Sequence, residues 1–176
     1  CSRGAAIAAM LRRKPTDTVV IGVDTSPDML QIARSELHGH IQRDEVRLHE
    51  ADITDYPIKN ASLVAMNYTL QFIYEHARQP LLQRIYEGLV DGGALVLSEK
   101  VIGDEHTQPI LEALHLTFKR DQGYSELEIA QKREALLNIL IPESIEQHIA
   151  RLEDLGFTAT LLAKSINFCT FLAVKP

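Results

Sequence analysis

Apolar runs and alternations divide the chain into predicted strands and helices. Thr18-Val19-Val20-Ile21-Gly22-Val23-Asp24 is a short β-branched run, which predicts a strand over 18–24 buried on both faces. Ser26 and Pro27 then open a helix over 26–38, with Leu30, Ala33 and Leu37 on its apolar side. Before the strand, Cys1-Ser2-Arg3-Gly4 leads directly into a helix over 5–11, which Lys14-Pro15-Thr16-Asp17 closes. Gly39 breaks the second helix. Val46 and Leu48 alternate with polar residues, so 45–52 is a strand nearer a sheet edge. Ser62 to Asn67 is a further buried strand. Tyr68 to Gly88 is largely helical; Pro80 opens its second part, whose apolar face is Leu81, Leu82, Ile85 and Leu89. Val90-Asp91-Gly92-Gly93 is a turn, and 94–97 is another buried strand.

Beyond Lys100 the pattern changes. Helices are predicted over about 107–119, 125–140 and 143–155, and Gly156-Phe157 ends the last of them. Thr158 to Ile166 and Phe168 to Val174 form an antiparallel hairpin turned near Asn167. Alternating strands and helices predict an α/β fold with a mostly parallel sheet covered on both faces. A plain crossover needs one helix, so about 104–140 is an insertion of the kind that forms lids or subunit contacts. With no repeat, low-complexity stretch or linker, 1–176 is expected to form one domain.

Charge narrows the function. The 176 residues carry a formal charge of −6, which argues against direct grip on a nucleic-acid backbone. Cys1 and Cys169 make neither a metal framework nor a disulfide framework, so a reducing cytoplasm is the expected compartment. No run of about 18 apolar residues predicts a membrane span, and no signal peptide is visible.

Successive strands end in Asp24, Asp52 and Asn67, and open α/β sheets bind ligands at that carboxyl edge. An acid at the end of a buried strand is costly without a partner. A ribose, whose hydroxyls donate to a carboxylate, is the preferred reading for Asp24, and a plain helix-opening turn is the other. Asp52 followed by Ile53 fits a nucleobase pocket, with an acceptor beside an apolar packing surface. It fits a solvated turn equally well, since Thr54 and Asp55 are also turn residues.

Ser125 and Glu128 are spaced as a capping box, with Tyr124 and Ile129 as a hydrophobic staple. At about 100° per residue, Ile129, Ala130, Leu136, Leu137 and Leu140 share a helical face with Arg133 at its centre. A guanidinium there calls for an anion, and its planar fork suits a carboxylate. An ion pair with Glu99, or a snorkelling side chain, would also satisfy it. Other residues carry less. His38-x-His40 lacks a third ligand spaced for zinc, and no metal is expected. Cys169 reads as core. Tyr68 either lines a pocket or packs. Lys119-Arg120 either attracts an anionic substrate or is solvated at a helix end.

The closing hairpin, the acid spacing, Asp24-x-Ser26-x-x-Met29 and Val90-Asp91-Gly92-Gly93-Ala94-Leu95 resemble the class I S-adenosylmethionine-dependent fold, which is Rossmann-like. Three longer motifs narrow the match. They are Tyr68-Thr69-Leu70-Gln71-Phe72, then Gly92 through Lys100, then Phe118-Lys119-Arg120-x-x-Gly123-Tyr124-Ser125-Glu126-Leu127-Glu128-Ile129-x-Gln131-Lys132-Arg133. Together they resemble the bacterial carboxy-S-adenosyl-L-methionine synthases over nearly the whole chain. That resemblance implies an enzyme using S-adenosylmethionine and prephenate, giving carboxy-S-adenosylmethionine and phenylpyruvate. Prephenate would lose carbon dioxide as its ring aromatises, and a carbanion beside the sulfonium would capture it in a dry, positively charged pocket. It implies a homodimer with no membrane and no nucleic acid held directly. A separate tRNA-modifying enzyme would take the product for wobble-uridine modification.

Residue by residue, the resemblance puts Cys1 and Ser2 in the glycine turn, Asp24 and Thr25 at the ribose, and Asp52 and Ile53 at the adenine. Asn67 becomes a further cofactor contact, and Arg133 the holder of the new carboxylate. The family's opening segment, with a tyrosine that touches the cofactor, its first strand and its leading glycine, has no counterpart in this sequence. Two rival functions share the sheet: an ordinary small-molecule methyltransferase, which has no use for Arg133, and a non-catalytic interaction protein of the same fold.

Overall fold

A computed structural model describes residues 1–176. Their contacts divide them into two compact units, Cys1–Tyr56 and Pro57–Pro176.

In the first unit, α1 (Ala5–Leu11) precedes β1 (Val20–Asp24), α2 (Pro27–Glu36), α3 (His38–Gln42) and β2 (Val46–Glu50). β1 and β2 pair in parallel, Val20 opposite Val46 and Asp24 opposite Glu50. Ile7, Leu37 and Val46 form a buried cluster, joined by Leu11, Val20 and Leu48. Gly22 lets this layer close. A Cβ there would lie 2.6 Å from Ile7 Cδ1 and 2.7 Å from Leu48 Cδ2. The expectation that strand 18–24 is buried on both faces fails at Ile21, which is 51% exposed; within β1 only Gly22 is buried. Gly39 does not break the second helix. The buried Leu37 ends α2, its carbonyl accepts from His40 and Ile41, and Gly39 lies inside the short α3 that follows.

In the second unit the strand order is β3 (Ala61–Asn67), β4 (Leu89–Lys100), β6 (Phe168–Val174), β5 (Thr158–Ser165). β3 runs parallel to β4; β6 is antiparallel to both β4 and β5. The turn expected at Val90–Gly93 is a bulge within β4: Ala61 faces Leu89, but Leu63 faces Ala94. Gly92, at φ 75°, takes the left-handed conformation this requires. A 3-10 turn, Leu70–Phe72, leads into α4 (Glu75–Gly88). Pro80 sits inside α4 instead of opening it, forfeiting one ladder hydrogen bond on an exposed side.

Three more helices follow: α5 (Gln108–Asp121), α6 (Glu126–Leu136) and α7 (Ile145–Asp154). Ser125 and Ser144 head the last two with complete capping boxes. The helix expected over 125–140 stops at Leu136, because Leu137 is extended and Asn138 is left-handed at φ 63°. Arg78 is wholly buried yet fully engaged. It donates to the carbonyls of Ile73 (2.9 Å) and Ile141 (2.7 Å) and pairs with Glu143 at 2.8 Å. Burial works against ionisation of Glu143, but Arg151 and Arg78 hold its pKa down at about 2. No helix is long and apolar enough to cross a membrane.

Candidate functional site

The strongest local constellation lies at the carboxyl end of β1. Asp24 Oδ2 accepts from the Cys1 backbone nitrogen at 2.9 Å and from the Ser2 amide at 2.6 Å. Its Oδ1 accepts from the Ser26 amide at 3.0 Å. The Cys1 nitrogen also donates to the Val23 carbonyl at 2.7 Å. Burial opposes the charge on Asp24, but hydrogen bonds from the Cys1 nitrogen and the Ser26 and Ser2 amides outweigh it and lower the pKa. Three of the roughly four acceptor sites of a carboxylate are thereby occupied, which leaves one. Ser2, at φ 50°, carries the backbone round into α1, and Thr25 beside Asp24 is exposed. Cys1, Ser2, Asp24 and Thr25 are therefore brought together.

Asp52 and Ile53 follow β2 at the same end. The Ala51 amide donates to the Asp24 carbonyl at 3.1 Å, which holds the two strand ends in step. Asp52 Oδ1 accepts from the Thr54 amide (2.8 Å) and hydroxyl (2.7 Å). This is an Asx turn, and the carboxylate is exposed.

Asn67 ends β3 in the second unit, opposite Ser98. Asp24 ends and Asp52 follows strands of the β1–β2 sheet, whereas Asn67 ends a strand of the β3–β4–β6–β5 sheet. After Asn67 the chain turns sharply. Tyr68 adopts φ 54°, its amide bonds the Ser98 carbonyl, and its ring meets Phe168 edge-on at 5.6 Å. A bulky residue held in that region is strained, and strain of this kind clusters at functional sites.

Arg133 lies on α6 as expected, but its surroundings differ. Only Ile129 of the expected apolar face is buried, and Arg133 itself is exposed with neither hydrogen bond nor ion pair. The early end of α6 takes Leu137 and Leu140 out of the helix, so burial does not demand an anion here. Nor is Glu99 its partner. Glu99 is fully buried at the end of β4 and accepts from the amides of Thr69 (3.0 Å), Leu70 (2.8 Å) and Gln71 (3.1 Å). Burial pushes its pKa up to about 7, against those donors and Arg78. The signal for Glu99 was present in the sequence: an acid two residues past the apolar run Ala94–Leu97, close to the strand-end pattern of Asp24 and Asn67.

The structure also separates two neighbours on α5. Arg120 pairs with Glu126 at 2.5 Å, whereas Lys119 has no acidic partner. His40 Nδ1 meets Glu45 at 2.6 Å. Cys169 is buried in β6.

Comparisons with known proteins join these observations. Residues 1–93 match the family model described as a methyltransferase domain. The chain is 47% identical to the carboxy-S-adenosyl-L-methionine synthase of Hydrogenovibrio crunogenus, over 99% of this chain and 70% of that protein. It is 46% identical to the synthase of the same name from Shewanella amazonensis, over 99% of this chain and 73% of that protein. Among solved structures it resembles an O-methyltransferase family 2 protein from Planctomyces limnophilus, with a TM-score of 0.70 at 21% identity, over 99% of this chain and 48% of that one. That likeness bears on fold alone, and it is the class I methyltransferase fold.

Proposed function

The chain belongs to the carboxy-S-adenosyl-L-methionine synthases, enzymes acting on S-adenosylmethionine, and from that premise we propose that its co-substrate is prephenate. The observation that carries this reading is the match over 99% of the chain to synthases of one name. Prephenate supplies carbon dioxide as its ring aromatises to phenylpyruvate, and S-adenosylmethionine supplies a methyl carbon acidified by the adjacent sulfonium. The atoms balance when the ring hydroxyl departs with the methyl proton as water.

The chain's own residues bind and orient. Asp24 offers its remaining acceptor site to a ribose hydroxyl, with Thr25 beside it. Cys1 and Ser2, fastened to Asp24, present backbone against the cofactor. Asp52 accepts from the adenine amino group and Ile53 packs on the ring. Asn67 makes a further polar contact. Arg133, exposed and unpaired on α6, presents its fork to the new carboxylate.

The working enzyme is a homodimer in the cytoplasm, and its product passes to a separate tRNA-modifying enzyme. The exposed stripe Ile110, Leu114 and Phe118 on α5, with Leu127 on α6, supports the dimer. The test is incubation with S-adenosylmethionine and prephenate, followed by mass spectrometry. Carboxy-S-adenosylmethionine and phenylpyruvate in equal amounts are expected. Methylated product, or no product from a folded chain, overturns the reading.

A further inference from the structure

Three lysines and a histidine converge in the second unit with no acid among them. Lys100 ends β4 and lies opposite Phe168 in the sheet register. His115 of α5 packs on the same Phe168, ring centroids 5.3 Å apart. Lys119 follows His115 by four residues, so the two share a helix face. Lys132 comes from α6, its ammonium 5.8 Å from the centre of the Tyr124 ring. None of the three ammonium groups has a hydrogen bond or an ion pair.

The charges feel one another. Burial lowers the pKa of Lys119, and Lys132 and Lys100 lower it further. Burial likewise lowers the pKa of His115, followed by Lys119, Lys100 and Lys132. This happens in a chain with 24 acidic residues against 18 Lys and Arg, where an acidic neighbour is the ordinary outcome. Arg120, adjacent to Lys119, has found one in Glu126. Concentrated positive charge without a counter-ion costs free energy that an arriving anion returns.

The cluster is also walled by rings. Phe168 carries His115 on one side and meets Tyr68 edge-on. His115 Nδ1 is buried and has no hydrogen-bond partner. Cations beside aromatic surface suit an anion that has both carboxylates and an apolar ring.

We propose that Lys100, Lys119 and Lys132, with His115 and the rings of Tyr68 and Phe168, recognise the carboxylates and ring of a small anionic co-substrate. This rests on the reading of prephenate as that co-substrate and supplies the residues that would hold it. Arg133 keeps its separate role at the carboxylate of the product.

The test uses the full chain and calorimetric titration with prephenate, with inorganic phosphate as the control anion. Wild type should bind prephenate at least tenfold more tightly than phosphate. Lys119→Gln and Lys132→Gln should each weaken prephenate at least tenfold, while affinity for S-adenosylmethionine stays within twofold. Lys119→Arg should restore most of the loss. Without ligand, both glutamine variants should melt at or above the wild-type temperature, since each loses a repelling charge. Unchanged prephenate affinity in both variants overturns the site, and so does wild type that fails to bind prephenate or prefers phosphate. Turnover separates this inference from the reading beneath it. Prephenate that binds at these lysines but yields no carboxylated product overturns the co-substrate and leaves the site. Product formed with an unchanged KM for prephenate in both variants overturns the site and leaves the co-substrate.

Discussion

The carboxylate of Asp24 fastens three pieces of chain, Cys1, Ser2 and Ser26, at the mouth of β1. Removing it loosens that mouth as well as deleting an acceptor. Asp24→Ala should weaken S-adenosylmethionine binding by about 1.5–3 kcal/mol, the usual worth of hydrogen bonds to a charged group. Calorimetry on a folded variant checks this, and unchanged affinity would remove Asp24 from the site. Arg133 behaves differently, because nothing in the chain leans on it. Arg133→Leu should leave folding stability within about 0.5 kcal/mol, as surface changes do. Affinity for carboxy-S-adenosylmethionine should fall, while plain S-adenosylmethionine keeps its own. Equal weakening of both ligands would make Arg133 an ordinary surface cation.

Elements were legible where a local rule governs them. Ser125 with Glu128 announces the head of α6 by spacing alone, and Asn167 marks the hairpin. What stayed hidden was set by tertiary context. Gly39 lies inside a helix because Leu37 is anchored in the core. Pro80 stays inside α4 because Leu81, Leu82 and Ile85 bury the opposite face. Of the candidate site, the strand-end acids could be read from the sequence. The lysine cluster could not, since Lys100, Lys119 and Lys132 meet only once α5 and α6 are placed. The first of these helices, α5, carries the exposed stripe Ile110, Leu114 and Phe118, half or more of each side chain open to solvent. A homodimer should appear in sedimentation at micromolar concentration, and Leu114→Lys should dissociate it. A monomeric wild type would leave that stripe to a lid.

At the scale of the molecule, pH links folding to three buried side chains, His148, Glu143 and Glu99. His148 is buried against Phe171, with neither ring nitrogen hydrogen-bonded, and burial lowers its pKa from 6.5 to about 4. Unfolding returns it to the ordinary value, so the unfolded chain binds more protons between those two pH values. Stability from this group is full above pH 6.5 and is lost as pH falls through about 4. Glu143 follows the same direction lower down, from about 4.5 towards 2. Glu99 opposes them: its pKa is raised, so its contribution fades as pH rises from 4.5 through about 7. The His148 part can be isolated. Relative to wild type, His148→Leu should gain on the order of 3 kcal/mol as pH drops from 6.5 to 4, at about 1.36 kcal/mol per pKa unit. Urea denaturation across that range measures it, and parallel curves would show that His148 does not titrate in the window.

Glu99 has one more consequence, in time instead of energy. The amides of Thr69, Leu70 and Gln71 are held by a side chain about 30 positions further along the chain. None of the three is protected by its own local turn, so they open together, when β4 lets go of the carboxylate. In deuterium oxide they should exchange as one group with a common opening free energy. Their shared rate would then serve as a clock for the docking of the strand that carries Lys100.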